Sequence, residues 1–234
     1  TDRDRLNMEN PLDADRDATE FVTQKLLVKR ERDFVEKYLK TGVWGLDVTG
    51  VDSNPTDETQ CIKWNKPLSN IIQDIRKYKR HMLENTGYEP NTLCLSRGAY
   101  DALCDHEEIL DRIKYTQKGQ VTKDLIASLL EIENVEVSNA VYKTQKGEGG
   151  EMKFVSKNNA LLCYTTDRPS LKRPSAGYIF AWTGLEGSGA YANRMVRIPT
   201  PLLGIGAERI EGEMAYDQRV VAKDMGIFFT NIVD

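Results

Sequence analysis

The chain has 234 residues, 29% of them charged and 8% aromatic, with a net charge of −4. That length suffices for one large or two small domains with a sizeable core. The acidic balance argues against broad electrostatic attraction to nucleic acid while leaving room for a local basic patch, and no apolar run reaches the length of a membrane-spanning helix.

Thr1 to Leu12 reads as a polar tail, and the listing starts at Thr1 without an initiator Met or a signal peptide. From Asp13 to Gly42 comes the longest helical pattern. Asp13 or Asp15 is placed to cap its first turn, and Asp13, Asp15, Asp17 and Glu20 at the start oppose Lys37 and Lys40 at the end, which complements the helix dipole. Gly42 is the expected left-handed stop. Ala18, Phe21, Val22, Val28, Val35, Tyr38 and Leu39 form one apolar stripe. At about 1.5 Å per residue the helix is roughly 38 Å long, enough to cross a domain of this size. The stripe is expected to pack on the C-terminal strands, with Ile227 and Phe229 facing Val28 and Val35.

The segment VWGLDVTGVDSNPTDETQ is rich in turn formers and reads as a non-repetitive loop, with Trp44 anchored on the core. A second helix is expected from Trp64 to Gly87, with Pro67 in its first turn and an apolar face of Leu68, Ile71, Ile72, Ile75, Tyr78, Met82 and Leu83. Its other face carries Arg76, Lys77, Lys79 and Arg80, the strongest basic cluster in the chain. Next come a strand at Asn91–Leu95, a helix capped by Ser96, another capped by Asp105 and a third over Lys123–Leu130 capped by Thr122. ENVEV, AVY and NALLCY read as strands, which together imply a mixed sheet flanked by helices. TTDRPSLKRPSAG is an extended connection, YIFAW a strand, and the remainder is mainly strands, including an alternating one over Ala207–Tyr216.

Few residues offer chemistry. Asp13, Asp15 and Asp17 begin like a calcium loop, but Ala18 stands at the glycine position and Gln24 at the bidentate glutamate. Cys104 and His106 are a short metal-like pair without a second pair. Cys61, Cys94, Cys104 and Cys163 show no C-x-x-C spacing, as expected of reduced, buried thiols in a cytosolic protein. Glu107 and Glu108 suit a helix start. The glycines of GLEGSG (184–189) and Gly204-x-Gly206 read as turn glycines, since neither run opens a helix. The expectation is no catalytic residue, no cofactor and no metal.

Four blocks in order carry a resemblance: NPLDADRDATEFVTQKLLVKRERDF followed by TGVWG; PLSNIIQDI with GYEPNTLCL; HEEILDRIKYTQKGQVTKDLIASLL followed by VEVSNAVY; and NNALLCY followed by PSLKRPSAGYIFAW. In these the chain resembles the major capsid proteins of tailed bacteriophages, whose fold is shared with encapsulin shells and the herpesvirus capsid floor. The resemblance implies an α+β fold with a long spine helix, a peripheral (P) domain and an axial (A) domain. It places spine helix and linker at 1–66, the A domain at 67–183, and strands returning to the P domain at 184–234. It implies a structural subunit, not an enzyme. Copies would assemble into hexamers and pentamers of an icosahedral head enclosing double-stranded DNA that is held loosely. Scaffold, portal or decoration proteins would be further partners. No membrane is involved, and the place of action is the virion, assembled in the host cytoplasm. The family carries an N-terminal arm and an extended hairpin, the E-loop, ahead of the spine helix. This sequence lacks both, and a preceding segment is expected to have been removed or to lie outside this stretch. Two alternatives stand beside this reading: an encapsulin-like compartment shell, and a nucleic-acid-binding or nucleic-acid-processing enzyme using Arg76, Lys77, Lys79 and Arg80.

Overall fold

A computed structural model describes residues 13–114, 121–145, 149–170, 172–182, 184, 193–199 and 208–234. Among them are five α-helices and twelve strands. The chain divides into two compact units, one of Thr1–Arg32 with Ile179–Arg219 and one of Asp33–Tyr178 with Val220–Asp234. Helix α1, Ala14–Tyr38, contributes to both.

The larger unit is built on a six-stranded sheet. Its strands are β1 (Leu46–Val51), β2 (Gln60–Ile62), β3 (Thr92–Ser96), β4 (Asn134–Ser138), β7 (Ala160–Cys163) and β12 (Gly226–Thr230), in spatial order β2-β1-β12-β7-β3-β4. Pairing is parallel except at β7, which runs antiparallel to both β12 and β3. The mixed sheet is as expected, but β1 and β2 fall inside the stretch read as loop. Gly50 resembled a turn former. It is in fact a point of close backbone approach, because a Cβ there would collide with the carbonyl oxygen of Asn231. The two residues before it, Val48 and Thr49, pair with Phe229 and Thr230.

Each face of this sheet carries its own core, since alternate side chains point to opposite faces. On one side Val48, Leu93, Leu95, Leu162, Ile227 and Phe229 meet helices α2 (Ile71–Thr86), α3 (Arg97–Asp105), α4 (Glu107–Ile113) and α5 (Lys123–Leu130). The rings of Trp64 and Tyr78 lie 6.0 and 5.2 Å from that of Phe229. On the other side Trp44, Leu161, Cys163, Met225 and Phe228 form a smaller cluster covered by Phe34, Tyr38 and Leu39 at the end of α1. Val28 and Val35 were expected to meet Ile227 and Phe229. The α1 residues that reach a core are instead Phe34 and Tyr38, on the Phe228 side, while Ile227 and Phe229 serve the helices opposite. The error is one residue of strand parity. Trp44 is an anchor as expected, its Nε1–H donating to the Tyr38 carbonyl at 2.7 Å.

Local signals mostly hold, with shifted ends. Asp13 caps α1, its carboxylate accepting from the N–H groups of Asp15 and Arg16 at 3.0 and 3.3 Å. The helix stops at Tyr38, so Gly42, at φ +81°, belongs to the following turn. Helix α2 begins at Ile71, not near Pro67, leaving Trp64–Ser69 as turns and Leu68 exposed; Gly87 closes it at φ +74° as expected. Ser96 caps α3 and Thr122 caps α5. Helix α4 is capped by His106, not Asp105: the imidazole Nδ1 accepts from the N–H of Glu108 at 3.2 Å. Strands β5 (Val141–Lys143) and β6 (Met152–Phe154) form a separate hairpin. No element interrupts the described residues between β7 and β8 (Gly177–Ala181), as the extended TTDRPSLKRPSAG segment predicts.

In the smaller unit β9 (Asn193–Pro199) and β10 (Glu208–Met214) pair antiparallel over their whole length. This bears out the alternating pattern at Ala207–Tyr216. Gly212 lies against α1: a Cβ there would stand 2.7 Å from Val22 and 2.8 Å from Leu26. Strand β11 (Tyr216–Val220) pairs with β8, and the buried Gln218 amide donates to the Arg30 carbonyl of α1 at 3.2 Å. Gln218 is the sole buried residue among this unit's described side chains. The tail 1–12, most of GLEGSG and all of Gly204-x-Gly206 lie outside the described residues.

Candidate functional site

The basic helix face was the strongest electrostatic candidate in the sequence. Burial of the α2 apolar face turns it so that its cations meet neighbouring elements of the same unit. Lys79, with a side chain only 5% exposed, reaches Glu89 at 2.9 Å and the Glu131 carbonyl at 2.7 Å. Arg76 pairs with Glu131 at 3.0 Å, and Lys77 donates to the Glu58 carbonyl and lies over the Tyr78 ring. Lys79 alone of the four is withdrawn from solvent; Arg76, Lys77 and Arg80 stay exposed, Arg76 in a surface ion pair and Lys77 on a carbonyl. Surface pairs of this kind hold little free energy.

The remaining polar candidates also take structural posts. Asp13 is spent on the α1 cap. Cys104 lies within one helical turn of Tyr100 with its thiol pushed up, chiefly by burial. His106 is a cap, and Glu108 accepts from the Ile72 N–H and faces Arg112 at 3.6 Å. All four cysteines are unpaired, and burial pushes the Cys61 thiol up to about 12. No group of three or more metal-ligating side chains occurs among the described residues. Asp74 is the clearest perturbed acid: burial raises its carboxyl to about 6, with Glu108 adding to the effect and Lys77 opposing it.

Sequence reading missed a charge cluster. Lys63 bridges Asp52 at 2.9 Å and Asp234 at 2.7 Å, while Lys66 and Asn65 also hold Asp234 at 2.7 and 2.8 Å. Hydrogen bonds from Lys63 and Lys66 hold the Asp234 carboxyl well below the usual range. Its members are up to 171 positions apart, so no local pattern could reveal it.

Some of the exposed surface among the described residues is apolar. On β8 and just beyond it, Ile179, Phe180 and Trp182 are 54, 55 and 63% exposed. Consecutive residues of a strand point to opposite faces, so Ile179 and Phe180 expose part of their surface on opposite sides. Phe21, expected in the buried stripe of α1, is also exposed, with Lys25 stacked on its ring. On the β5–β6 hairpin the register puts Val141, Met152 and Phe154 on one exposed face. Large apolar side chains gathered in the open mark contact sites for other proteins.

Comparison with known proteins makes this specific. The fold is shared, at a TM-score of 0.77 and 21% identity, with the crystal structure of a phage-related protein from Bordetella bronchiseptica RB50; the match covers 97% of this chain and 72% of that one. The family model for phage major capsid protein E matches residues 50–173. A major capsid protein of Burkholderia phage BcepMu is 33% identical over 84 residues, which are 36% of this chain and 27% of that protein. The chain belongs to the phage major capsid protein E family, and its match spans only about a quarter of the length of that curated relative.

Proposed function

We propose that the chain is a shell subunit whose copies join into hexamers and pentamers of an icosahedral head around double-stranded DNA. The observation that carries this is the exposed apolar surface of Ile179 and Trp182. Such a side chain gains roughly 1.5–3 kcal/mol when fully buried, which a neighbouring subunit would supply. Many modest contacts of this kind, repeated around each subunit, close rings and shells through multivalency.

In this reading α1 is the spine of the peripheral domain, supported by the seating of Gly212 of β10 on Val22 and Leu26. The axial domain is the unit around the six-stranded sheet. The proposal takes this divide from packing, so the last strand, β12, joins the axial domain rather than the returning strands of 184–234. The net negative charge suits an inner wall that grips packaged DNA loosely. Scaffold, portal or decoration proteins would meet the exposed surfaces that subunit contacts leave open.

The test is assembly. The full protein, concentrated under assembly conditions and viewed by negative-stain microscopy with sedimentation velocity in parallel, is expected to form rings or closed shells. A strictly monomeric protein across that range overturns the proposal.

A further inference from the structure

The loop between β7 and β8 carries charges that the fold itself does not use. Its two ends meet, since the Ala176 N–H donates to the Tyr164 carbonyl at 2.9 Å. Each end is tied to the larger unit. Thr165 exchanges two hydrogen bonds with the Asn91 side chain, at 2.8 and 2.9 Å, and the Ala176 carbonyl accepts from the Val221 N–H at 2.9 Å. The loop is also held from within. The Arg173 N–H donates to the Ser170 carbonyl at 3.3 Å, the Lys172 N–H to Ser170 Oγ at 3.3 Å, and the Tyr178 hydroxyl to the Arg173 carbonyl at 3.1 Å. Pro169 and Pro174 remove further backbone freedom.

Arg168, Lys172 and Arg173 lie on this loop, and all three are exposed. None has a recorded side-chain partner among the described residues, and Asp167 is the one acid in the loop's sequence. The turn from Ser170 to Arg173 keeps its end Cα atoms within about 7 Å, so the three cationic residues have Cα atoms within about 15 Å of one another. That span equals about four base-pair steps of a DNA duplex, at roughly 3.4 Å each. Thr166 and Ser170 place hydroxyls among the cations. Arg, Lys, Ser and Thr are the side chains that contact phosphate oxygens, and an Arg guanidinium matches a phosphate with two parallel N–H groups. The α2 face offers less, because Lys79 is buried and Arg76 and Lys77 already hold partners.

We infer that this loop is a contact site for the phosphate backbone of duplex DNA. Phosphate contacts carry no sequence information, so the loop accepts any duplex. The inference rests on the proposed DNA-enclosing shell and deepens it by naming the residues that touch the packaged duplex. Three phosphate contacts in one subunit are weak, and their repetition over many copies holds DNA without locking it.

The test titrates the full chain into a fluorescein-labelled duplex of arbitrary sequence and reads the anisotropy. In about 20 mM NaCl the dissociation constant should be about 0.1 mM, and about 100 mM NaCl should weaken binding about 80-fold, the salt dependence of three phosphate contacts. Arg168→Gln, Lys172→Gln and Arg173→Gln should each lower the slope of log K against log salt by about 0.9, and the triple variant should lose binding. Arg76→Gln with Lys77→Gln should leave affinity and slope unchanged, and a duplex of unrelated sequence should bind equally. The triple variant should still form rings or shells under the microscope, so loss of DNA binding and loss of assembly are read apart. A duplex that does not bind at low salt overturns the inference, as does wild-type binding by the triple variant. Loss of binding in the Arg76 and Lys77 variant would move the contact to α2 and overturn it. Poly-glutamate of matched charge binding more tightly than the duplex would assign the loop to an acidic protein and overturn it as well.

Discussion

The two compact units solve the problem of burial in different ways. Around the six-stranded sheet both faces are sealed: Val48, Leu93, Leu162 and Phe229 are fully buried, and a second cluster closes over Phe228. In the unit of α1 and the β9–β10 ribbon, Gln218 is the one buried residue among the described side chains, and Ile179, Phe180 and Trp182 stand in the open. A two-stranded ribbon has no interior of its own and is marginal without a further layer. The first unit therefore carries its stability within the chain. The second leaves apolar side chains exposed.

The largest effect should come from attacking the sealed unit. Phe229→Ala removes the ring that Trp64 and Tyr78 pack on, and should cost about 3–5 kcal/mol, read as a lowered urea midpoint. A loss under about 1 kcal/mol would mean the core is not where the register places it. Next, Lys79→Ala deletes a buried cation and strands the Glu131 carbonyl, and should cost about 1–3 kcal/mol; an unchanged midpoint would return the basic face to the solvent.

Asp74 offers a pH test of the same unit. Its folded carboxyl is raised from 3.8 to about 6, so the folded chain holds a proton that the unfolded chain has released. Stability is then greatest below the unfolded value and falls as pH rises through about 6. Asp74→Asn should abolish that fall and stabilise the protein at pH 8 by about 1 kcal/mol, allowing for partial solvent screening. A wild-type urea midpoint that rises between pH 5 and pH 8 at this residue's expense would contradict it.

The smallest effect on monomer stability should come from the uncovered strand. Ile179→Ser with Trp182→Ser should change the midpoint by no more than about 0.5 kcal/mol, as surface substitutions do. The same double variant should fail to form the assemblies expected of the wild type in sedimentation velocity. Normal assembly, or a large loss of monomer stability, would erase the contrast between the two units.

How much of this was legible can be judged element by element. The α1 cap at Asp13, the Ser96 and Thr122 caps and the stop at Gly87 were all readable, because each depends on residues within one turn. The strands β3, β7 and β12 announced themselves as short apolar runs. Strand β1 did not, because its acceptance into the sheet depends on β12, some 180 positions later, and on the narrow fit at Gly50. Of the candidate chemistry, the sequence listed the right polar residues but not their posts. Lys79 looked like a surface cation until α2 was laid against Glu89 and Glu131, and His106 looked like half a metal pair until it became a cap.

By itself the sequence determined what is local or cumulative: the helices and their ends, the mixed α/β order, and, through four blocks spread along the chain, the capsid family. Tertiary structure decided which face of each element is covered. That depends on strand parity and on partners distant in sequence. It set Ile227 and Phe229 against the helices and Phe228 towards α1, paired Lys63 with Asp234, and left Ile179 and Trp182 exposed. A single step of register moves every side chain of a strand to the opposite face, and no reading of one strand alone can fix that step.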